Sequence, residues 1–274
     1  MTILVIGPSH TAGFKNMLCA NMASFNETVH IAGIHGASFS TGELFKEIDN
    51  GVIKLQQGID RSGRKFNWFI SEELNLNAID LKIYSKILLL NPLFLTSGIF
   101  GKVLFRGRSG GFAGCSDGSP HFFKVKNKTL CSDFVKADKR LHSLLKENNQ
   151  FITKNIYFEI FKNVKSQDVK LFEIIKRGCD SSEVILLPPV IPPRRNHRAL
   201  NGLLGVYHLQ EQIFLLDVLG KEYGLNGFPQ PPSTYFEDEL GLFTDEKFHM
   251  PAPDPHHPSE KYWYLLSKMI GIAV

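Results

Sequence analysis

The sequence predicts an α/β protein, a three-layer α/β/α sandwich on a central and mostly parallel sheet. Three observations predict it. Apolar runs at Thr2–Ile6, Thr28–Ile34, Lys86–Leu90 and Glu183–Leu187 alternate with helix-patterned stretches, the order expected of βαβ units. The last two runs are apolar without alternation, which suits strands covered by helices on both faces. Finally, 274 residues with 43% hydrophobic and 21% charged side chains can build a large core; this excludes whole-chain disorder and collagen-like or low-complexity architecture.

The elements follow in order. Thr2–Ile6 opens the fold as a strand and runs into Gly7-Pro8-Ser9-His10-Thr11-Ala12-Gly13, after which a helix is expected from Phe14 to about Ser24. Thr28–Ile34 is the second strand and ends in Gly33-Ile34-His35-Gly36-Ala37-Ser38. A helix is expected at Gly42–Asn50, and Val52–Gln56 with Lys65–Ile70 is expected to form an added hairpin around Asp60–Gly63. Lys86–Leu90 is the buried central strand and stops at Asn91-Pro92. From Thr96 to about Pro120, Gly98, Gly101, Gly107, Gly110, Gly111, Gly114 and Gly118 mark a long loop of the kind that serves as a lid or stays mobile. Helices are expected at Cys131–Asn148 and Ser166–Arg177, a strand at Glu183–Leu187, then helices at Leu200–Tyr223 and Ser259–Ile270. At about 150 residues per domain the length allows one or two units. Residues 1–274 are expected to form one domain, with an insertion or lid at about 96–130.

Composition bounds the partners. There are 31 basic and 27 acidic residues, so the formal charge of +4 lacks the concentrated basic face that nucleic acid requires. No apolar run reaches the roughly 18 residues of a membrane span. The N-terminus reads as a strand and not as an export signal, having no basic leader or cleavage pattern. Cys19, Cys115, Cys131 and Cys179 form no C-x-x-C pair, so neither a zinc ribbon nor a disulfide framework is indicated. Reduced thiols and a cytoplasmic location are expected. The 22 phenylalanines, with no polar handle, are expected mostly in the core, although Phe94, Phe100, Phe105 and Phe112 could line a lid.

In open α/β sheets, sites form at the carboxyl ends of strands. That rule draws attention to Ser9, Gly36, Asn91, the Pro188 loop and Asp254–His257. These segments resemble the conserved blocks of the SGNH (GDSL-like) hydrolase superfamily. Ile6-Gly7-Pro8-Ser9-His10-Thr11 resembles the first block, with Ser9 at the nucleophile. Ile34-His35-Gly36-Ala37-Ser38 resembles the second, with Gly36 at the backbone oxyanion donor. Leu89-Leu90-Asn91-Pro92 resembles the third, with Asn91 at the side-chain oxyanion donor. Asp254-Pro255-His256-His257 resembles the last, Asp-x-x-His, with a helix following it. Pro8, Leu89 and Pro92 depart from the family's usual residues, and no Gly-x-Ser-x-Gly elbow is present.

The resemblance implies an SGNH or flavodoxin-like sandwich and a serine esterase or acyl hydrolase. A serine hydroxyl needs a base to become a nucleophile. His257 would be that base, Asp254 would hold its tautomer, and the N–H groups of Ser9 and Gly36 with the amide of Asn91 would bind the oxyanion. The implied substrate is a small-molecule or carbohydrate ester, O-acetyl above all, with no metal and no organic cofactor. His10, His35, Arg194 and Arg195 are candidates for substrate contact, and Arg198 extends the arginine group.

Other readings of the same residues stay open. Ser9 and Asp254 could be helix or turn caps, Gly36 a turn glycine and Asn91 a strand terminator. His249, Asp254, His256 and His257 could be metal ligands, and His256 could replace His257 as base. His10 and His35 could serve packing, and the arginines could be a solvated face. An O-acyltransferase acting on carbohydrate uses the same constellation, and a catalytically silent binding protein could retain the fold. The oligomeric state is left open.

Overall fold

The computed structural model describes residues 2–21, 25–35, 45–57, 67–90, 129–146, 150–164, 166–179, 183–188, 190–191, 193, 209–210, 212–235, 244–251 and 257–272. In chain order the principal elements begin with β1 (Thr2–Gly7), α1 (His10–Ala20), β2 (Thr28–His35), β3 (Phe45–Asp49) and β4 (Val52–Leu55). Next come β5 (Asn67–Ile70), β6 (Ile79–Asp80), β7 (Lys86–Leu90), β8 (Thr129–Cys131), α2 (Ser132–Ala137) and β9 (Gln150–Ile152). The remainder are α3 (Lys154–Val164), α4 (Ser166–Gly178), β10 (Glu183–Leu187), a π-helical turn (Phe214–Leu219) continued by α5 (Gly220–Tyr223), β11 (Asn226–Gly227) and α6 (Glu260–Met269).

The main sheet has the order β11-β10-β7-β1-β2-β5. All neighbours are parallel except β5, which runs antiparallel to β2 at the edge. The four strands expected from apolar runs are the four consecutive central strands of this sheet. Their side chains divide by parity, as a period of two requires. Ile3, Val5, Leu88, Leu90, Ile185 and Leu187 face a layer that includes Phe14 and Met17 of α1 with Tyr262, Trp263 and Leu266 of α6. Leu4, Ile6, Ile87, Leu89, Val184 and Leu186 face the opposite layer, filled by Phe134, Tyr157, Phe161, Phe172, Ile175 and Phe214. The architecture is therefore the expected α/β sandwich. In the second layer the Tyr157 and Phe214 rings meet edge-on at 4.7 Å, and Phe161 meets Phe214 at 5.1 Å, so the phenylalanines are used there as core. Among the described residues, no helix is long and apolar enough to cross a membrane.

Three local expectations are corrected. The described part of Gly42–Asn50 is the strand β3, paired antiparallel with β4. Asn50-Gly51 reverses the chain between them, with Gly51 at φ +77°, where a side chain is strained. Val52–Leu55 therefore pairs with β3 and β6, and Asn67–Ile70 joins the edge of the main sheet; the two do not form a hairpin together. The stretch expected as one helix from Cys131 divides into the end of β8, the short α2 and a 3-10 helix at Lys139–Lys146. Asp138 separates the two helical pieces, accepting from the Arg140 backbone N–H and binding its guanidinium. The glycine-rich segment and its phenylalanines lie outside the described residues.

Candidate active site

The site is built where β1 turns into α1. Gly7 ends β1, and a Cβ there would lie 2.6 Å from the Leu90 carbonyl and 2.6 Å from Thr11 Oγ1. Glycine thus allows the end of β1 to sit against the end of β7 and beneath the first turn of α1. That turn closes with the N–H of Thr11 donating to the Pro8 carbonyl at 2.9 Å and that of Ala12 to Ser9 at 3.0 Å. Ser9 occupies the N-cap position with helical dihedrals, φ −51° and ψ −26°, and its side chain makes no capping hydrogen bond. The alternative in which the hydroxyl serves only as a cap is not what the geometry shows.

The hydroxyl instead meets the other end of the chain. His257 Nε2 lies 2.8 Å from Ser9 Oγ, joining residues 248 positions apart. This is within the 2.6–3.2 Å reach expected of a general base. With its proton on Nδ1, His257 accepts from the serine hydroxyl through Nε2. The His10 ring stands 5.0 Å from the His257 ring, tilted by 51°. Ser9 and His257 are both half-buried, so the pair is accessible and partly shielded. The N-terminal end of α1 also favours negative charge developing at Ser9, and its first turn holds no acidic residue to offset that.

Two packing devices hold the pair. Gly13 is four residues beyond Ser9, on the same side of α1. A Cβ there would lie 2.7 Å from Trp263 Nε1 and 3.3 Å from the Pro258 carbonyl, so the absent side chain lets α6 and the segment before it close on α1. Phe14 packs edge-on against Trp263 at 5.8 Å. On its other side, the His257 segment pairs antiparallel with residues 248–250. The Met250 N–H donates to the His257 carbonyl at 2.9 Å, and the Ser259 N–H to the Phe248 carbonyl at 2.8 Å. Nothing in the sequence pattern singled out Gly13. It stood in the turn before the helix expected from Phe14, whereas α1 begins at His10 and takes Gly13 into its second turn.

Of the residues expected at the site, Ser9, His10 and His257 are brought together. His35 ends β2. Gly36 and Asn91 directly follow, in sequence, the ends of β2 and β7, the two strands that flank β1. Gly36, Asn91, Asp254, His256, Arg194, Arg195 and Arg198 lie outside the described residues, as does the side chain of His35. His249, considered above as a metal ligand, directs Nε2 at the Ile191 carbonyl, 3.3 Å away. Among the described residues, no group of three or more His, Cys, Asp or Glu side chains is arranged to hold a metal ion.

Fold and site together define an α/β sandwich with a serine–histidine pair at the carboxyl edge of its sheet. No protein-family model matches the chain, and no curated protein does. Among solved structures, one from Bacteroides fragilis NCTC 9343, described as a putative acylhydrolase, aligns over 98% of this chain and 84% of its own at 11% identity and a TM-score of 0.40. A DUF4886 family protein from Bacteroides uniformis ATCC 8492 aligns over 100% of this chain and 83% of its own at 10% identity and a TM-score of 0.43.

Proposed function

We propose that the protein is a serine esterase or acyl hydrolase of the SGNH type. The observation that carries the reading is the 2.8 Å approach of His257 Nε2 to Ser9 Oγ. In this reading Ser9 Oγ attacks the ester carbonyl while His257 Nε2 takes its proton. The tetrahedral oxyanion is bound by the N–H groups of Ser9 and Gly36 and the side-chain amide of Asn91. On collapse, His257 returns the proton to the leaving alcohol. A water, deprotonated by the same imidazole, then resolves the acyl-enzyme. Asp254 accepts from Nδ1 of His257, holds the tautomer that leaves Nε2 as the acceptor, and offsets the imidazolium charge. The substrate is a small-molecule or carbohydrate ester, an O-acetyl group above all. His10, beside the base, makes contact with it, as do His35, Arg194 and Arg195.

The test is turnover of p-nitrophenyl acetate by the wild type and by Ser9→Ala, with fluorophosphonate labelling of both. Hydrolysis that falls to background in Ser9→Ala, with labelling confined to Ser9, supports the reading. Turnover only when a sugar acceptor is added points to acyl transfer. A wild type that neither turns over nor becomes labelled at Ser9 overturns the reading.

A further inference from the structure

A buried polar chain reaches the segment that pairs with the base. The Gln230 side chain is buried, and its Oε1 accepts from the Ile191 N–H at 2.9 Å. Its Nε2 donates to Thr234 Oγ1 at 3.0 Å and to Thr244 Oγ1 at 2.6 Å. Thr234 in turn donates to the Pro231 carbonyl at 2.6 Å. Ile191 belongs to the loop that leaves the carboxyl end of β10, and its carbonyl lies 3.3 Å from Nε2 of His249, which is 5% exposed. A carbonyl can only accept, so His249 Nε2 carries the proton in this contact. The His249 backbone bridges Pro258, between the two hydrogen bonds that clasp the His257 segment.

A buried imidazole costs more desolvation than an apolar residue would, and the contact with the Ile191 carbonyl offsets part of that cost. The geometry gives it a purpose. We propose that His249, held through Ile191 by Gln230, is a positioning residue for His257. It ties residues 248–250, which pair with the segment that carries the base, to the loop after β10, and so sets the distance from His257 Nε2 to Ser9 Oγ. The proposal rests on the hydrolase reading and extends it to residues that do not touch substrate. His249 acts on the step in which the proton leaves Ser9, while substrate binding is left to other groups. Its loss therefore lowers kcat and leaves KM in place.

The test compares His249→Gln with His249→Asn in the full chain. The glutamine amide nitrogen can occupy the place of the imidazole Nε2 and donate to Ile191, whereas the asparagine amide is too short. Turnover of p-nitrophenyl acetate, the rate of fluorophosphonate labelling at Ser9 and thermal unfolding are measured for each. A displacement of about 1 Å in catalytic geometry costs on the order of 10²-fold, so His249→Asn is expected to lose roughly 10–100-fold in kcat and labelling rate with KM nearly unchanged, and His249→Gln to recover most of it. A folded His249→Asn variant with wild-type kcat overturns the proposal, and so does an equal loss in both variants. In the wild type, the imidazole 15N spectrum reports the tautomer whatever the variants do: an Nε2–H His249 supports the clasp, and an Nδ1–H His249 overturns it. If Ser9 of the wild type is not labelled at all, the hydrolase reading fails and the proposal falls with it. Labelling of the wild type with no difference between wild type and His249→Asn sinks the clasp alone.

Discussion

Gly13→Ala sets two ordinary effects against each other, and the structure says which should win. In an isolated helix alanine is better than glycine by about 0.8–1 kcal/mol, so propensity alone predicts a more stable protein. At Gly13, however, the new methyl would lie 2.7 Å from Trp263 Nε1 and 3.3 Å from the Pro258 carbonyl. Carbon contacts are comfortable at about 3.5 Å, so roughly 0.8 Å of retreat is needed. Trp263 cannot swing away cheaply, because it is 3% exposed and wedged against Phe14 and Tyr262 at ring distances of 5.8 and 5.1 Å. The retreat is passed to α6 and to Pro258, next to His257. Overpacking costs about 1–3 kcal/mol, so after the propensity gain the net loss of stability is about 0–2 kcal/mol. On the proposed reading the displacement reaches the base, and about 1 Å of error in catalytic geometry is worth on the order of 10²-fold. The expected outcome is a thermal midpoint within a few degrees of wild type and a fall of about 10–100-fold in the rate of Ser9 acylation by fluorophosphonate. Adding Trp263→Phe removes the clashing N–H and should recover part of the rate in the double variant, a coupling that distant sites would not show. Wild-type acylation with a raised midpoint would refute the reasoning, since the helices would then have absorbed the methyl without moving the base.

Two further outcomes concern groups away from the site. Burial pushes the Asp138 carboxyl up, but the hydrogen bonds and charge of Arg140 outweigh that and hold it below the usual carboxylate range. A depressed folded-state value stabilises above the unfolded carboxylate pKa of about 3.9 and is lost as pH falls through the folded value. Asp138→Asn should therefore cost about 1 kcal/mol at neutral pH, and in urea titrations its difference from wild type should shrink below about pH 4. A difference that grows in acid contradicts this assignment. Ser267, inside α6, is fully buried, and its Oγ has no hydrogen-bond partner among the described residues. Ser267→Ala removes that desolvation penalty of about 1–3 kcal/mol and improves helix propensity, so the urea midpoint should rise. A lower midpoint would show that the hydroxyl is satisfied in solution.

The central strands were legible because burial on both faces demands a continuous apolar run, and Lys86–Leu90 and Glu183–Leu187 state it without ambiguity. The final helix was legible from its pattern over Ser259–Ile270 and is Glu260–Met269 in the structure. The hairpin of β3 and β4 carried its own sign, Asn50-Gly51, but the mixed pattern Phe45-Lys46-Glu47-Ile48-Asp49 suits a helix as readily as a strand. Only the turn and its partner strand decide. Helix α3 was missed because Ile156–Phe161, aromatic or β-branched except for Glu159, suits a strand as readily as a helix, and its burial comes from Tyr157 and Phe161 packing beneath the sheet. At the site, the residue types of Ser9 and His257 were legible through the family resemblance. Gly13, Gln230 and His249 were not, because each acts through a neighbour that is distant along the chain.

The sequence by itself determined the four central strands, the apolar character of both their faces and that a serine stands between a strand and a helix. Those are properties of neighbouring residues, governed by periods of two and of about 3.6. Tertiary structure alone decided that β1 lies between β7 and β2, that α1 meets α6 across a missing side chain, and that a hydroxyl and an imidazole 248 positions apart come to 2.8 Å. The physical reason is that such a distance is the sum of many packing contacts. Each is set by side-chain volume at the place where elements touch, and local periodicity carries no record of which elements will touch.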